Sequence, residues 1–522
     1  MNARETAAVP GATRVELALV SHTNAGKTTL ARTLLGRDVG EVRDLPHVTD
    51  LAEAHTLLEL PGGERLVLWD TPGFGNSARL LQRLRLAENP IGWLLREAWD
   101  RWRDRPFWCS QQAVRAAREA SDVVLYLVNA AEEPRDAGYL APEMQVLRWI
   151  GRPVIVLLNQ VGPPRPPAQE QEDLERWRRH LEAFGVLADV LALDAFARCW
   201  VHEGVLLDAV ARVLAPAKRE SCARLAAAWT AQSVARFRES MRLLATQLAT
   251  AACDREALPK ETTTAMQKLL HSVGVGREQR DAAREAAMAT MAARLDGQIV
   301  EVTDRLIRLH GLDGAATRSV LERMRTRFAT AERLEEGRAA IWGSVVTGAL
   351  TGLKADIAAG GLTLGAGLLV GGLVGGLAGV GVARGFNRLS GADEPVVGWS
   401  GEFLDALVRS AMLRYLAVAH FGRGRGKWVE GEAPAWWKDE VAAAVERRRP
   451  RLQAAWDGAG RERVDDASAR MPGPAREPTA ELTGELSQLL GEATAEVLER
   501  LYPGRLPPEL RQRGGIAGAG DA

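Results

Sequence analysis

The stretch Ser21-His22-Thr23-Asn24-Ala25-Gly26-Lys27-Thr28-Thr29 joins small residues to a Gly-Lys-Thr ending. Small residues let successive backbone N–H groups curl around a phosphate, and a lysine ammonium then meets its outer oxygens. In that role Lys27 takes the β- and γ-phosphates, and the Thr28 hydroxyl is suited to Mg2+. The loop is a P-loop with Ser21 in place of its first glycine. A second group, Asp70-Thr71-Pro72-Gly73, pairs a carboxylate with a glycine three residues on. Such a carboxylate can hold a Mg2+ water shell, and the glycine lets a backbone N–H reach a terminal phosphate.

Chemistry of this kind needs strands that deliver both loops to one edge. Apolar β-rich runs precede each group: Val15–Val20 before Ser21, and Leu66–Trp69 before Asp70. Further runs lie at Leu57–Leu60, Val123–Val128, Val154–Leu158 and Val190–Leu193, separated by helical stretches. That alternation predicts an α/β domain of P-loop NTPase type over 1–215, with a doubly wound, mostly parallel sheet. Within it, a Trp-rich helical insertion is expected at about 76–118, holding Trp93, Trp99, Trp102 and Trp108. These tryptophans read either as an effector surface or as packing against the following helices. Beyond Pro216 the β signal fades. The spacing of Val234, Phe237, Met241, Leu244 and Leu248 predicts helix, and 216–522 is expected to be an all-α domain.

Inside that domain, 339–388 is glycine-rich and apolar, with Ile357–Ala383 free of charge. Gly367, Gly371, Gly375 and Gly379 recur every fourth residue, a stripe that permits close helix packing. The segment reads as an apolar helical hairpin, either inserted in a membrane or buried among the charged helices around it.

With both motifs in place, residues 1–215 resemble the G domain of the Era/EngA/TrmE branch of TRAFAC-class P-loop GTPases. Asn24 in Asn-Ala-Gly-Lys-Thr and the Asp-Thr-Pro-Gly quartet carry the likeness. The whole chain resembles bacterial members with a C-terminal domain of unknown function. The resemblance implies GTP and GDP as ligands and slow, Mg2+-dependent hydrolysis. It implies that Ser21, Asn24, Ala25, Gly26, Lys27, Thr28 and Thr29 cradle the nucleotide. Thr28, Thr49 and Asp70 would serve the metal, and Lys27, Thr49 and Gly73 the reaction. Thr49 would be the switch I threonine, with an ordinary loop threonine as the other reading. In relatives, Asn at the Asn24 position helps hold K+ beside the phosphates; a purely structural role is the alternative here.

The likeness breaks at the base. The family reads guanine with Asn-Lys-x-Asp after the fifth apolar run, where this chain has Asn159-Gln160-Val161-Gly162. Asn159 can still tie loops together and Gln160 can lie along the base, but the carboxylate that rejects adenine is missing. Ala195, in Asp194-Ala195-Phe196, is expected to offer its N–H to the base edge. Phe74 stands where many switch proteins carry a water-positioning glutamine, as is common in the Era branch.

Composition narrows the classes. Lys plus Arg and Asp plus Glu are 67 each, so a nucleic-acid or ribosome partner has no global electrostatic support. The four cysteines show neither zinc nor disulfide spacing, and Met1–Arg14 has no apolar stretch of a signal peptide. The expected place is the cytoplasm, or the inner membrane if 339–388 associates with lipid. Two functions follow: a GTPase switch coupled to a helical effector domain and an unidentified protein effector, or a nucleotide-gated scaffold at the membrane that hydrolyses little and reads the base loosely.

Overall fold

The computed structural model describes residues 13–23, 25–35, 52–85, 103–162, 164–195, 199–257, 277–312, 386–390, 395–421, 434–461 and 478–511. The chain divides into two compact units, 1–234 with 419–426, and 235–418 with 427–522.

Six strands form the amino-terminal sheet: β1 Arg14–Ser21, β2 Glu53–Glu59, β3 Arg65–Asp70, β4 Val123–Asn129, β5 Val154–Asn159 and β6 Leu187–Ala192. Their order is β2-β3-β1-β4-β5-β6. All neighbours are parallel except β2, which runs antiparallel to β3 with a register shift between Thr56 and Leu58. β5 is buried along its whole length and β4 at all but its last residue. That is why they read as unbroken apolar runs: helices cover both faces of a parallel sheet. The helices are α1 Lys27–Leu35, α2 Ser77–Arg85, α3 Arg105–Glu119, α4 Leu140–Ile150, α5 Pro167–Glu182 and α6 Trp200–Val213. One core layer joins Leu17, Leu19, Leu125 and Leu157 to Leu30 of α1 and Val210 of α6. The other joins Val20, Val124 and Val156 to Leu80, Leu147 and Trp177. α2 and α3 occupy the described parts of the insertion predicted at 76–118; Trp93, Trp99 and Trp102 lie outside the described residues.

A 38-residue helix, α7 Pro216–Cys253, follows. Lys218 in its first turn donates to both oxygens of Asp122, at 2.8 and 2.7 Å, and Asp122 also accepts from Glu16 N–H. Cys109, Cys199 and Cys222 are buried thiols of this unit, while Cys253 is half-buried.

The second unit is helical: α8 Arg277–Leu309, α9 Gly401–Ala419, α10 Ala435–Arg461, α11 Ala480–Leu501 and the short α12 Pro508–Arg511. It also holds a small antiparallel sheet, β7 Arg255–Ala257, β8 Phe386–Ser390 and β9 Pro395–Trp399, in the order β7-β9-β8. The all-α expectation missed this sheet because strands of three to five residues carry too little alternation to register. The hairpin expectation at 339–388 lies outside the described residues up to 385. Its last residues, Phe386 to Arg388, open β8 and pair with β9, so the segment ends in strand, not helix.

Buried polar groups organise this unit. Arg414, 1% exposed, donates to Gln247 Oε1 at 2.8 Å and Thr303 Oγ1 at 3.2 Å. Asp296 on α8 is also buried, and its Oδ1 has no hydrogen-bond partner among the described residues. Burial alone pushes its carboxyl up to about 7 from an ordinary 3.8. Because the folded form holds its proton more tightly than the unfolded chain, stability falls as pH rises from about 4 to about 7. Asp296→Asn is expected to raise the melting temperature at pH of about 8 and barely move it near pH 4. An equal shift at both pH values in a calorimetric scan would contradict this.

Candidate nucleotide site

β1 ends at Ser21 and α1 begins at Lys27, so the loop between them opens on the carboxyl edge of the sheet, beside the end of β3. Ser21 is still in strand conformation and so tolerates a side chain where a first glycine was expected. Its hydroxyl accepts from Lys27 Nζ at 2.9 Å and donates to His22 O at 2.5 Å. Gly26 has φ of +92°, and a Cβ there would stand 2.6 Å from Asn159 Nδ2. Only glycine meets both conditions.

Thr28 Oγ1 donates to Asp70 Oδ2 at 2.8 Å, joining the two motifs. Asp70 is 3% exposed, and its Oδ1 is buried with no hydrogen-bond partner among the described residues. Burial pushes its carboxyl above the usual range, against the Thr28 hydrogen bond and Lys27. Burial likewise pulls the Lys27 ammonium below its usual range, opposed first by Asp70 and then by Glu143. A hydroxyl and an orphaned carboxylate oxygen make a hard-oxygen set that suits Mg2+.

The segment after Asp70 is pinned to the loop. Thr71 Oγ1 donates to Leu19 O at 2.5 Å, Phe74 N–H to Ser21 O at 3.0 Å, and Ser110 Oγ to Gly73 O at 3.1 Å. A Cβ on Gly73 would lie 3.0 Å from Thr23 Cγ2, so glycine is what permits this approach. Phe74 is fully buried in the core layer with Leu80 and Tyr126.

At the opposite side, Asn159 Nδ2 donates to Ala25 O at 2.7 Å and its Oδ1 accepts Ala195 N–H at 2.8 Å. One buried side chain thus binds the phosphate loop to the loop after β6. Gln160 has φ of +59°, uncommon for a residue with a side chain. Val161 N–H donates to Asp194 Oδ2 at 2.7 Å.

A family model described as a 50S ribosome-binding GTPase matches residues 16–160. A second, described as a domain of unknown function (DUF3482), matches residues 178–472, more than half of the chain. The chain belongs to the DUF3482 family. Ahead of that region this DUF3482 protein carries a P-loop GTPase domain. Among solved structures it is similar to a variant of Aquifex aeolicus Era bound to GDP and aluminium fluoride. Identity is 19%, the TM-score 0.29, and the match covers 39% of this chain and 57% of that one. An Era complex with MgGDPNP and a segment of 16S ribosomal RNA gives 19% identity, TM-score 0.28, and coverage of 39% and 58%. A study of the chloroplast translocon components atToc33 and psToc159 gives 12%, 0.25, 36% and 72%. The chain spans less than two thirds of the length of either Era structure. No curated protein matches it.

In the DUF3482 protein the expected residues Ser21, Ala25, Gly26, Lys27, Thr28, Thr29, Asp70, Gly73, Asn159, Gln160 and Ala195 lie around one end of the sheet. Ala195 N–H is spent on Asn159, which departs from its expected place on a base edge. Asn24, which carries the K+ expectation, and Thr49 of switch I lie outside the described residues.

Sequence reasoning missed a fully buried carboxylate, Glu143 on α4. His22 Nδ1–H donates to its Oε1 at 2.7 Å, as does Ser77 Oγ at 2.6 Å, and Tyr126 OH donates to Oε2 at 2.6 Å. The His22 ring stacks on Tyr139, with centroids 4.5 Å apart. Burial, and then Glu143, push the Tyr126 hydroxyl well above its usual range, which keeps it a donor. Glu143 therefore ties the phosphate loop to the first residue of α2. The available signal was its position: Leu140, Met144 and Leu147 put it on the apolar face of α4, where a lone carboxylate needs partners.

Proposed function

We propose that this protein is a GTP-binding switch that hydrolyses GTP slowly with Mg2+ and passes its nucleotide state to the helical region. On this reading the G domain occupies 1–215, with 76–118 as an insertion, and 216–522 is the effector module. The observation that carries it is Thr28 paired with Asp70, whose other oxygen has no partner among the described residues, beside buried Lys27. When bound, Mg2+ supplies positive charge to the β- and γ-phosphate oxygens. Thr28 and Asp70 would hold it. Lys27 would exchange the Ser21 hydroxyl for phosphate oxygen, and Gly73, seated on Thr23, brings its backbone to the phosphate cradle.

The test is equilibrium binding of GTP, GDP, ATP and ADP to the full chain with Mg2+. Guanine nucleotides are expected to bind best, and Lys27→Ala to weaken them by about ten- to a hundredfold, the worth of one hydrogen bond to a charged group. Equal binding by the Lys27→Ala variant would remove the reading.

A second reading is a nucleotide-gated scaffold with little hydrolysis. Phe74 favours it, because the side chain after Gly73 is buried in the core and offers an attacking water no polar group. Single-turnover hydrolysis separates the two: a rate equal to that of Lys27→Ala supports the scaffold.

A further inference from the structure

The Watson–Crick edge of guanine presents two adjacent donors, N1–H and the 2-amino group, whereas adenine presents an acceptor at N1 and no amine at C2. A carboxylate on that edge accepts from guanine and is left facing a lone pair by adenine. The Asn159–Gly162 loop carries no carboxylate, and among the described residues, its chain neighbours aside, no atom lies within 4 Å of where a Cβ on Gly162 would be. The structure brings a carboxylate to this loop from another element. Asp194 follows β6, and its Oδ2 accepts Val161 N–H at 2.7 Å, one residue before Gly162.

The placement of Asp194 is fixed from both sides. β5 and β6 are parallel, with Leu158 opposite Ala192, so Asn159 and Asp194 leave the sheet at the same edge. The next residue, Ala195, is held by Asn159 Oδ1, and Asn159 in turn holds Ala25 of the phosphate loop. Asp194 therefore belongs to the same bonded frame as the phosphate cradle, and it stands at the loop where a base-reading group is missing. The left-handed backbone at Gln160 and Gly162, with φ of 59° and 88°, turns the loop so that the Val161 N–H meets it. Desolvating a carboxylate against a backbone amide costs free energy that a plain turn need not spend. A carboxylate has about four acceptor directions, and the Val161 bond takes one of them.

We propose that Asp194 is the specificity residue that recognises guanine, a carboxylate carried by the loop after β6 in place of one absent from the loop after β5. This rests on the nucleotide-binding reading above.

The test compares the full-length wild type with Asp194→Asn for binding GTP, ATP and xanthosine triphosphate. Asparagine keeps the shape and a carbonyl oxygen for Val161 N–H, but its amide now donates. It opposes the guanine 2-amino group and matches the xanthine 2-oxo group. GTP affinity is expected to fall by about tenfold or more while xanthosine triphosphate affinity rises by a similar factor. ATP affinity should rise, since the amide offers the adenine N1 lone pair a donor where the carboxylate opposed it. A gain for xanthosine triphosphate cannot come from a misfolded protein. Unchanged GTP affinity in the variant, or an equal loss for all three nucleotides, would overturn the proposal, as would a wild type that binds GTP and ATP alike. A wild type that binds no nucleotide would instead overturn the reading beneath it.

Discussion

Replacing Glu143 with leucine is expected to destabilise the amino-terminal unit by about 3–5 kcal/mol, the cost of leaving a buried charge network without its partner. Glu143 accepts from three donors, and the buried pair from Ser77 and Tyr126 would be stranded. Each unsatisfied buried donor costs about 1–3 kcal/mol, and leucine cannot offset them by volume alone. Tyr126 is fully buried and cannot turn to water, and Ser77 is 5% exposed. The half-exposed His22 ring has the easier escape. The substitution also removes one of the charges that support the Lys27 ammonium, so nucleotide affinity should fall with stability. Amide hydrogen exchange checks this locally: β4 and the start of α2 should lose protection before the helical unit does. Unchanged exchange at Tyr126 and Ser77 would refute it. Glu143→Gln should be milder, since its carbonyl oxygen can still take His22 and Ser77.

The second large effect is expected at Asn159. Its side chain satisfies Ala25 O and Ala195 N–H from the interior, and alanine would leave both orphaned. The expected loss is about 2–6 kcal/mol, at about 1–3 kcal/mol for each of the two stranded groups. The functional consequence is larger than the thermal one, because the phosphate loop and the loop after β6 would no longer share an anchor. Asn159→Ala should therefore weaken triphosphate and diphosphate binding alike, by more than about tenfold. Titration at a temperature where the variant remains folded measures this, and wild-type affinity there would show that the frame is dispensable. Gly26→Ala should resemble it, since the added Cβ would strike Asn159 Nδ2.

Both residues show what a sequence reader can and cannot reach. Asn159 was legible because it ends an apolar run that became β5, and because strand and loop follow each other along the chain. The six strands and the two phosphate motifs were legible for the same reason: each is a local pattern with a local cause. Edges were not. β2 was expected from Leu57 but begins at Glu53, since the charged and polar residues of an edge strand do not alternate cleanly. Glu143 sits 121 residues from His22 and 66 from Ser77, and no local period can encode such a meeting. Asp194 was read only as the residue before Ala195; its bond to Val161 depends on the parallel pairing of β5 and β6. The small sheet of the second unit joins strands about 140 residues apart in the chain, which places it beyond any window of periodicity.

The cysteines have a consequence for chemical kinetics. Cys109, Cys199 and Cys222 all belong to the amino-terminal unit and are at most 1% exposed, so an alkylating reagent cannot reach them in the folded chain. Burial, with Asp208 and Asp122 nearby, also pushes the Cys222 thiol up to about 11, so little thiolate is present at neutral pH. Cys253 belongs to the other unit and is half-buried. Under mild denaturant, three of the four thiols thus act as clocks for the opening of the nucleotide-site unit, and the fourth keeps separate time for the helical one.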